Sequence, residues 1–478
     1  MKPIYPSLAL FINGNWIEQG GRKSEPVINP ATGEAIGEVP HASADDVQEA
    51  LNAAGESFHA WRRMAPLDRS RILRQAAELL RSRVAELAPV VTLESGKPLV
   101  DSEREISVAA EMFEWSAEEA RRLYGRIIPA RTPGIRQMAM LEPVGPVAAF
   151  SGWNAPAITP ARKIAGALAA GCSIVIKPSE ETPAIALAIA RALEEARLPK
   201  GVLNMVFGDP GQISTQLLTS PIIRMLTFTG STAIGKSLGE MAACTMKRAT
   251  LELGGHAPVL VFADPDPEAA ASTIIAAKLR NAGQICTSPT RIVVHESIFE
   301  AFTTSLARQA QEWRVGDGFD KATQMGPLAN ARRLAAMEKF VADADARGIE
   351  IAAGGKQIGE KGFFWQPTVL KNFTEDCLAA NVEPFGPLAM VKPFQHFDEA
   401  ISEANRLPFG LAAYVFTRDS RTANSACDAI ESGVVCVNHC QASLPETPFG
   451  GVKDSGIGSE GGVEGLREFM QVKYVSQA

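Results

Sequence analysis

A surplus of positive charge is the first thing this chain lacks. Its 478 residues carry 47 basic and 54 acidic side chains, a net charge of −7. That leaves no basic footprint for nucleic acid or an anionic membrane. No apolar run approaches the roughly 20 residues that span a bilayer, and the longest, residues 164–176, is bounded by Lys163 and Lys177. Cysteine is sparse and scattered, with seven in the whole chain. This is not the dense disulfide framework of a small secreted domain, and it fits a reducing cytoplasm. The opening Met1-Lys2-Pro3-Ile4-Tyr5-Pro6 has one basic residue and two prolines, which does not read as a signal peptide. With 46% hydrophobic and 21% charged residues, the composition is that of a globular protein of two or three domains and excludes general disorder.

What the chain does have is a carboxylate beside two glycines and, 34 residues on, a thiol in a small-residue turn: Leu251-Glu252-Leu253-Gly254-Gly255 and Asn281-Ala282-Gly283-Gln284-Ile285-Cys286. The pairing suggests covalent catalysis. A thiolate is a good nucleophile, and a carboxylate with a raised pKa can activate water to hydrolyse the thioester that results. The glycines let backbone approach a bound molecule closely. Taken alone, Cys286 reads as a small buried hydrophobe and Glu252 as a surface acid.

The rest of the chain supplies context. Residues 8–18 read as a hairpin turned at Asn13-Gly14, and residues 43–123 as helical, opened by the capping signal Ser43 with Asp46. Residues 124–140, with Pro129 and Pro133, predict an extended ribbon. Strands at 146–150, 173–176, 202–207, 225–229 and 250–253 alternate with helices at 159–170 and 182–196. This predicts a doubly wound parallel sheet with ligands at the carboxyl ends of its strands. Further strands at 259–263, 291–294, 413–416 and 434–437 predict a second α/β unit. Residues 466–475 predict an amphipathic tail with strand character.

One turn offers a competing reading. Gly230-Ser231-Thr232-Ala233-Ile234-Gly235-Lys236-Ser237 matches the P-loop pattern in full, and Asp264 follows a strand as a magnesium ligand could. Equally, Ser231 is placed as an N-cap, and a helix N-terminus receives any phosphate, including a dinucleotide pyrophosphate. The triphosphatase reading leaves Glu252 and Cys286 without a role.

Seven motifs decide between them. Phe150-Ser151-Gly152-Trp153-Asn154-Ala155-Pro156, Ile176-Lys177-Pro178-Ser179-Glu180, Phe228-Thr229-Gly230-Ser231-Thr232, Glu252-Leu253-Gly254-Gly255, Gly283-Gln284-Ile285-Cys286, Glu383-Pro384-Phe385-Gly386-Pro387 and Pro448-Phe449-Gly450-Gly451 together resemble the ordered signature set of the aldehyde dehydrogenase superfamily. The resemblance covers essentially the whole chain and is greatest to the NAD(P)-dependent succinate-semialdehyde dehydrogenases. It implies a doubly wound dinucleotide-binding domain (residues 1–123 and 141–253) and an α/β catalytic domain (254–454). A small β oligomerisation arm and tail (124–140 and 455–478) would build a homodimer or homotetramer. By the same resemblance Cys286 attacks the aldehyde, Asn154 and the Cys286 N–H hold the oxyanion, and Glu252 activates the hydrolytic water. Cofactor contacts fall to Trp153, Lys177, Ser179, Glu180, Gly230, Ser231, Glu383 and Phe385. A carboxylate at Glu180 accepts from a ribose 2′-hydroxyl and repels a 2′-phosphate, so NAD is expected over NADP.

For substrate, Arg162 and Arg280 match the arginines that bind the distal carboxylate in succinate-semialdehyde dehydrogenases, and a guanidinium suits that group. A carboxylate-bearing aldehyde is therefore expected. Three features depart from the pattern: Ala155 where an aromatic residue is usual, Gly152 in place of proline, and the loop His439-Cys440-Gln441-Ala442-Ser443-Leu444. The smaller Ala155 predicts a wider pocket that admits a longer or aromatic aldehyde. Cys436, His439 and Cys440 lack metal-site spacing. Cys440 is read as lining the substrate mouth and His256 as structural, and Thr287 and Ser288 leave no second thiol beside Cys286.

Overall fold

The structure is a computed structural model that describes residues 4–478, so Met1, Lys2 and Pro3 of the opening segment lie outside it. Chain geometry follows the expected punctuation. Asn13 and Gly14, both at positive φ, turn the strand Leu10–Ile12 into Asn15–Ile17. Ser43 caps the helix Ala44–Trp61 in a reciprocal capping box with Asp46. Gly171, at φ 95°, ends the helix Ile158–Ala170, as the left-handed C-cap position favours.

An eight-stranded sheet organises the first lobe. Five of its strands are parallel, in the spatial order Leu203–Met205, Ile174–Lys177, Val147–Phe150, Met225–Thr229, Arg248–Glu252. Chain order reverses direction between Val147–Phe150 and Met225–Thr229, so the crevice where ligands bind in such sheets opens there. The N-terminal hairpin covers one edge and the short strand Gly456–Ile457 the other, both antiparallel. Nearly every residue of helix Ile158–Ala170 is buried, because it is sandwiched between the sheet and the outer helix Leu99–Glu119.

A seven-stranded sheet forms the second lobe, in the order Glu350–Ala353, Thr368–Lys371, Leu388–Phe394, Arg291–His295, Pro258–Val261, Ala412–Phe416, Val434–Val437, with only the first strand antiparallel. A third sheet pairs Met470–Gln477 with Arg136–Pro143 and that strand with Arg126–Ile128. It projects Ile127, Tyr124, Val472 and Tyr474 into solvent.

The tail departs from expectation at its start. Residues 466–468 belong to the helix Gly462–Glu468, and the strand begins at Met470. Gly461 and Gly462 at positive φ start that helix, and Leu466 and Phe469 are buried against the first lobe, so tertiary burial overrode the alternating pattern. Residues 456–457, counted with the tail from sequence, lie in the first sheet instead.

Candidate active site

Cys286 sits at the end of a constrained loop. Asn281 and Ala282 are left-handed at φ 49° and 53°, followed by Gly283 at φ 71°. Non-glycine residues hold that conformation only when the surroundings over-determine it, at a cost of about 1–3 kcal/mol each. Here Gln284, fully buried, does so: its Nε2 donates to Asn281 O at 3.0 Å and its Oε1 accepts from Ala329 N–H at 2.9 Å. A Cβ on Gly283 would lie 2.1 Å from Gly386 O, and one on Gly255 would lie 2.7 Å from Cys286 O. Gly255 thus admits the Cys286 loop itself, where the sequence suggested a bound molecule. Gly254 likewise admits Glu383, whose Oε2 would be 2.8 Å from a Cβ there.

Around the thiol stand three charged groups. Burial pushes Cys286 up to about 12; the Glu383 and Glu252 carboxylates add to this, while Arg162 and the Cys286 N–H oppose it. Glu383 is itself pushed up to about 8 by burial, against the Gly255 N–H, Arg333 and Lys278. Glu252 closes the strand Arg248–Glu252 and is 3% exposed. Neither of its oxygens has a hydrogen-bond partner among the described residues. Burial, then the Glu460 carboxylate, hold it well above the usual carboxylate range; Lys163 and Arg162 pull it down. The arrangement places a half-buried thiol within the electrostatic reach of a buried carboxylate. Asn154, at the switch crevice, donates from Nδ2 to Gln284 O at 3.0 Å, so its amide lies against the loop that ends at Cys286.

Of the residues expected to hold a dinucleotide, Trp153, Lys177, Ser179, Glu180, Gly230 and Ser231 lie at the carboxyl ends of first-sheet strands, while Glu383 and Phe385 come from the second lobe, just before the strand Leu388–Phe394. Lys177 Nζ pairs with Glu180 Oε1 at 2.6 Å, and the same oxygen accepts from Gly208 N–H at 2.8 Å. Ser179 Oγ accepts from Glu181 N–H. Ser231 occupies the N-cap of helix Thr232–Cys244, yet its side chain makes no capping bond. That leaves a helix N-terminus with an uncommitted hydroxyl, a ready anion receptor. Gly230 has the Phe228 ring against it. Trp153 meets Phe385 edge-on at 5.5 Å, and Phe385, at φ 43°, lies beneath Arg333.

The triphosphatase reading fails here. Lys236 pairs with Asp454 at 2.7 Å. Asp264, beyond a strand of the other sheet, accepts from Thr417 Oγ1 and Arg418 N–H. Among the described residues no three His, Cys, Asp or Glu side chains gather as a metal site. His256 is buried, its Nε2 on Ala379 O at 2.9 Å.

The two arginines part company. Arg162 joins the thiol and Glu252; its Nη2 donates to Ser443 Oγ at 2.7 Å, its guanidinium lies 5.0 Å above the Phe449 ring, and Nη1 is 4.0 Å from Glu460. Arg280 is exposed at the end of helix Pro267–Leu279, with Asp101 the carboxylate it acts upon. Sequence reasoning passed over Ser443, Glu460 and Lys163. Lys163 Nζ bonds Glu460 Oε1 at 2.5 Å and Thr227 Oγ1 at 3.0 Å. Its signal was a lysine inside an apolar helix.

A doubly wound lobe with free phosphate-receiving turns, facing a thiol and a carboxylate seated at the junction with a second α/β lobe, is the architecture of an oxidoreductase. Comparison with known proteins agrees. The aldehyde dehydrogenase family model matches residues 16–475. A putative 4-(hydroxymethyl)benzenesulfonate dehydrogenase of Comamonas testosteroni is 44% identical, over 99% of this chain and 98% of that one. The NADP(+) succinate-semialdehyde dehydrogenase of Escherichia coli K12 is 39% identical, over 97% and 96%. The crystal structure of a succinate-semialdehyde dehydrogenase from Burkholderia pseudomallei superposes with a TM-score of 0.97 at 41% identity, covering 99% of this chain and 98% of that one. The chain belongs to the aldehyde dehydrogenase family, enzymes that oxidise aldehydes.

Proposed function

We propose that the enzyme oxidises an aldehyde carrying a distal carboxylate or sulfonate to its acid, with NAD as the preferred cofactor. The observation that carries this reading is Arg162: one guanidinium acts on both Cys286 and Glu252 and is oriented by Ser443 and Phe449. A mostly buried guanidinium, its side chain 9% exposed, that acts on the reacting sulfur suits an anionic substrate, and its planar fork accepts either acid group. The relatives named for succinate semialdehyde and for a benzenesulfonate share that anionic end. A benzenoid substrate is a second reading, favoured by the small Ala155 beside Asn154. Arg280, exposed at the loop's start, would second the anion at the rim.

In this reading Cys286 Sγ, once deprotonated, bonds to the aldehyde carbon, and the carbonyl oxygen becomes an oxyanion held by Asn154 Nδ2 and the Cys286 N–H. Such donors contribute roughly 3–4 kcal/mol each in a dry site. A nicotinamide held by Glu383, Trp153 and Phe385 would supply the acceptor for the hydride this adduct releases. Glu252 then takes a proton from water, which attacks the thioester carbon and frees the acid and the thiol. Ser231 and Gly230 at the helix N-terminus would receive the pyrophosphate. Lys177, Ser179 and Glu180 would hold the adenosine ribose, and Glu383, with Trp153 and Phe385, the nicotinamide end. Glu180, already accepting from Lys177 and Gly208, presents a carboxylate that disfavours a 2′-phosphate. The relative named for NADP(+) makes this a point to measure.

We further propose the domain division 1–123 with 141–253, 254–454, and 124–140 with the tail strand Met470–Gln477, the strand Gly456–Ile457 and the helix Gly462–Glu468 going with the first lobe. The exposed apolar side chains Ile127, Met140, Val472 and Tyr474 of the third sheet support assembly into a dimer or tetramer, which light scattering would report. The test of function is a kcat/KM panel with NAD and NADP over succinate semialdehyde, glutarate semialdehyde, 4-formylbenzenesulfonate and uncharged benzaldehyde. The anionic compounds should lead by tenfold or more, and equal values would overturn the anion reading.

A further inference from the structure

Two charged side chains beneath the turn that carries Asn154 are buried where a core would ordinarily be apolar. Lys97 is 5% exposed and Glu105 is 6% exposed, and they form an ion pair. Removing both charges from water costs several kcal/mol per ion, and apolar residues of similar volume often hold a core equally well. What apolar residues could not supply is directed hydrogen bonds, and this pair makes two, both to the turn that carries Asn154. Lys97 Nζ donates to Asn154 O at 3.1 Å, and Glu105 Oε1 accepts from Ala157 N–H at 2.8 Å. Asn154 O also accepts from Asn281 Nδ2 at 3.0 Å. The turn is therefore gripped from below by the ion pair and from the side by the nucleophile loop.

The grip is anchored in both lobes. Glu105 stands on helix Leu99–Glu119. Lys97 follows Gly96, the left-handed cap of helix Val84–Ser95, in a segment pressed against second-lobe backbone. A Cβ on Gly318 would lie 2.4 Å from Lys97 O, one on Gly326 would lie 1.9 Å from Gly96 O, and Leu99 N–H donates to Gly318 O at 2.9 Å. Lys97 thus stands where the lobe carrying Asn154 meets the lobe carrying Cys286.

We propose that Lys97 and Glu105 are positioning residues for the oxyanion site: by clamping the Asn154–Ala157 backbone they set the distance between the Asn154 amide and the carbon bonded to Cys286. This rests on the role given to Asn154 above. A displacement of about 1 Å at a reacting centre can cost on the order of a hundredfold in rate. Lys97→Met should therefore lower kcat roughly tenfold to a hundredfold with KM for NAD within twofold, and Lys97→Arg should recover part of the loss.

A double-mutant cycle with Asn154→Ala tests the route of the effect. Two readouts are taken: aldehyde oxidation, and the pre-steady-state burst of 4-nitrophenolate from 4-nitrophenyl acetate without cofactor, whose acylation step needs the thiol and the oxyanion donor but not the Glu252 base. In the Asn154→Ala background Lys97→Met should change either rate less than twofold, because the group it positions is gone. If it multiplies the Asn154→Ala defect by its full factor, the clamp acts elsewhere and the proposal fails, with the role of Asn154 intact. If Asn154→Ala itself leaves both rates unchanged, the oxyanion assignment falls and this proposal with it. Should Lys97→Met not fold by thermal melt, Glu105→Gln runs the same cycle. It keeps an acceptor for Ala157 and removes the charge that pairs Lys97.

Discussion

Replacing Glu252 with glutamine separates the two halves of the proposed reaction. Glu252 is 3% exposed with both oxygens unpartnered, so a carboxamide of the same shape enters without breaking a hydrogen bond. Only hydrolysis of the thioester needs the carboxylate as base. Loss of a general base costs about 10²–10⁴ in rate, or about 2.7–5.4 kcal/mol at 1.36 kcal/mol per tenfold. A stopped-flow trace should therefore keep a burst of one NADH per site and lose steady-state turnover by that factor. The pH profile carries a second signature. The base works only when ionised, and burial with Glu460 holds its pKa above the usual carboxylate range. Wild-type turnover should fall as pH drops through that raised value, and the variant should be flat there. The same shift costs the folded protein stability. Above the unfolded carboxyl's pKa the unfolded chain gives up the proton that the folded one keeps, so the cost grows as pH rises toward the folded value and then levels. Glu252→Gln should melt higher than wild type at pH 8 and converge with it in acid. A burst that shrinks in step with turnover would refute the assignment.

Other perturbations follow from the same cluster. Arg162→Ala should cut the ratio of kcat/KM for succinate semialdehyde to that for benzaldehyde by about tenfold or more, on the order of 1.4 kcal/mol; an unchanged ratio would remove the anion site. Glu383 is the carboxylate acting most on the Cys286 thiol. Glu383→Gln should therefore speed iodoacetamide alkylation of the cofactor-free protein several-fold, since each unit of thiol pKa is a tenfold change in thiolate. The gain should appear above about pH 8, where Glu383 is ionised, and fade below. Arg291, 1% exposed, binds Glu403 and the carbonyls of His256 and Ala404. Arg291→Met should lower unfolding stability by about 3 kcal/mol in denaturant titration, and a change under 1 kcal/mol would show that Lys392 and Arg406, which also pair with Glu403 at 2.6 and 3.2 Å, suffice to hold it.

The sequence by itself determined what depends on short-range chemistry. Asn13-Gly14, Ser43 with Asp46, and Gly171 each specify a turn, a start or a stop through their own φ preferences or caps, and each lies where that chemistry demands. Apolar strands alternating with helices dictated a parallel sheet, and the motif set carried the family. Tertiary structure decided whatever depends on residues distant in the chain. Gly230-Lys236 has a P-loop's letters, but only the fold turns Lys236 to Asp454 and leaves Asp264 beyond the other sheet. Arg162 and Arg280 look alike in sequence, yet burial beside Ser443 and Glu460 separates one from the other. Residues 466–468 open a segment with strand character but coil into a helix because Leu466 has a core to enter. Lys163 with Glu460 and Lys97 with Glu105 join residues that no local pattern links, since a buried charge finds its partner through space.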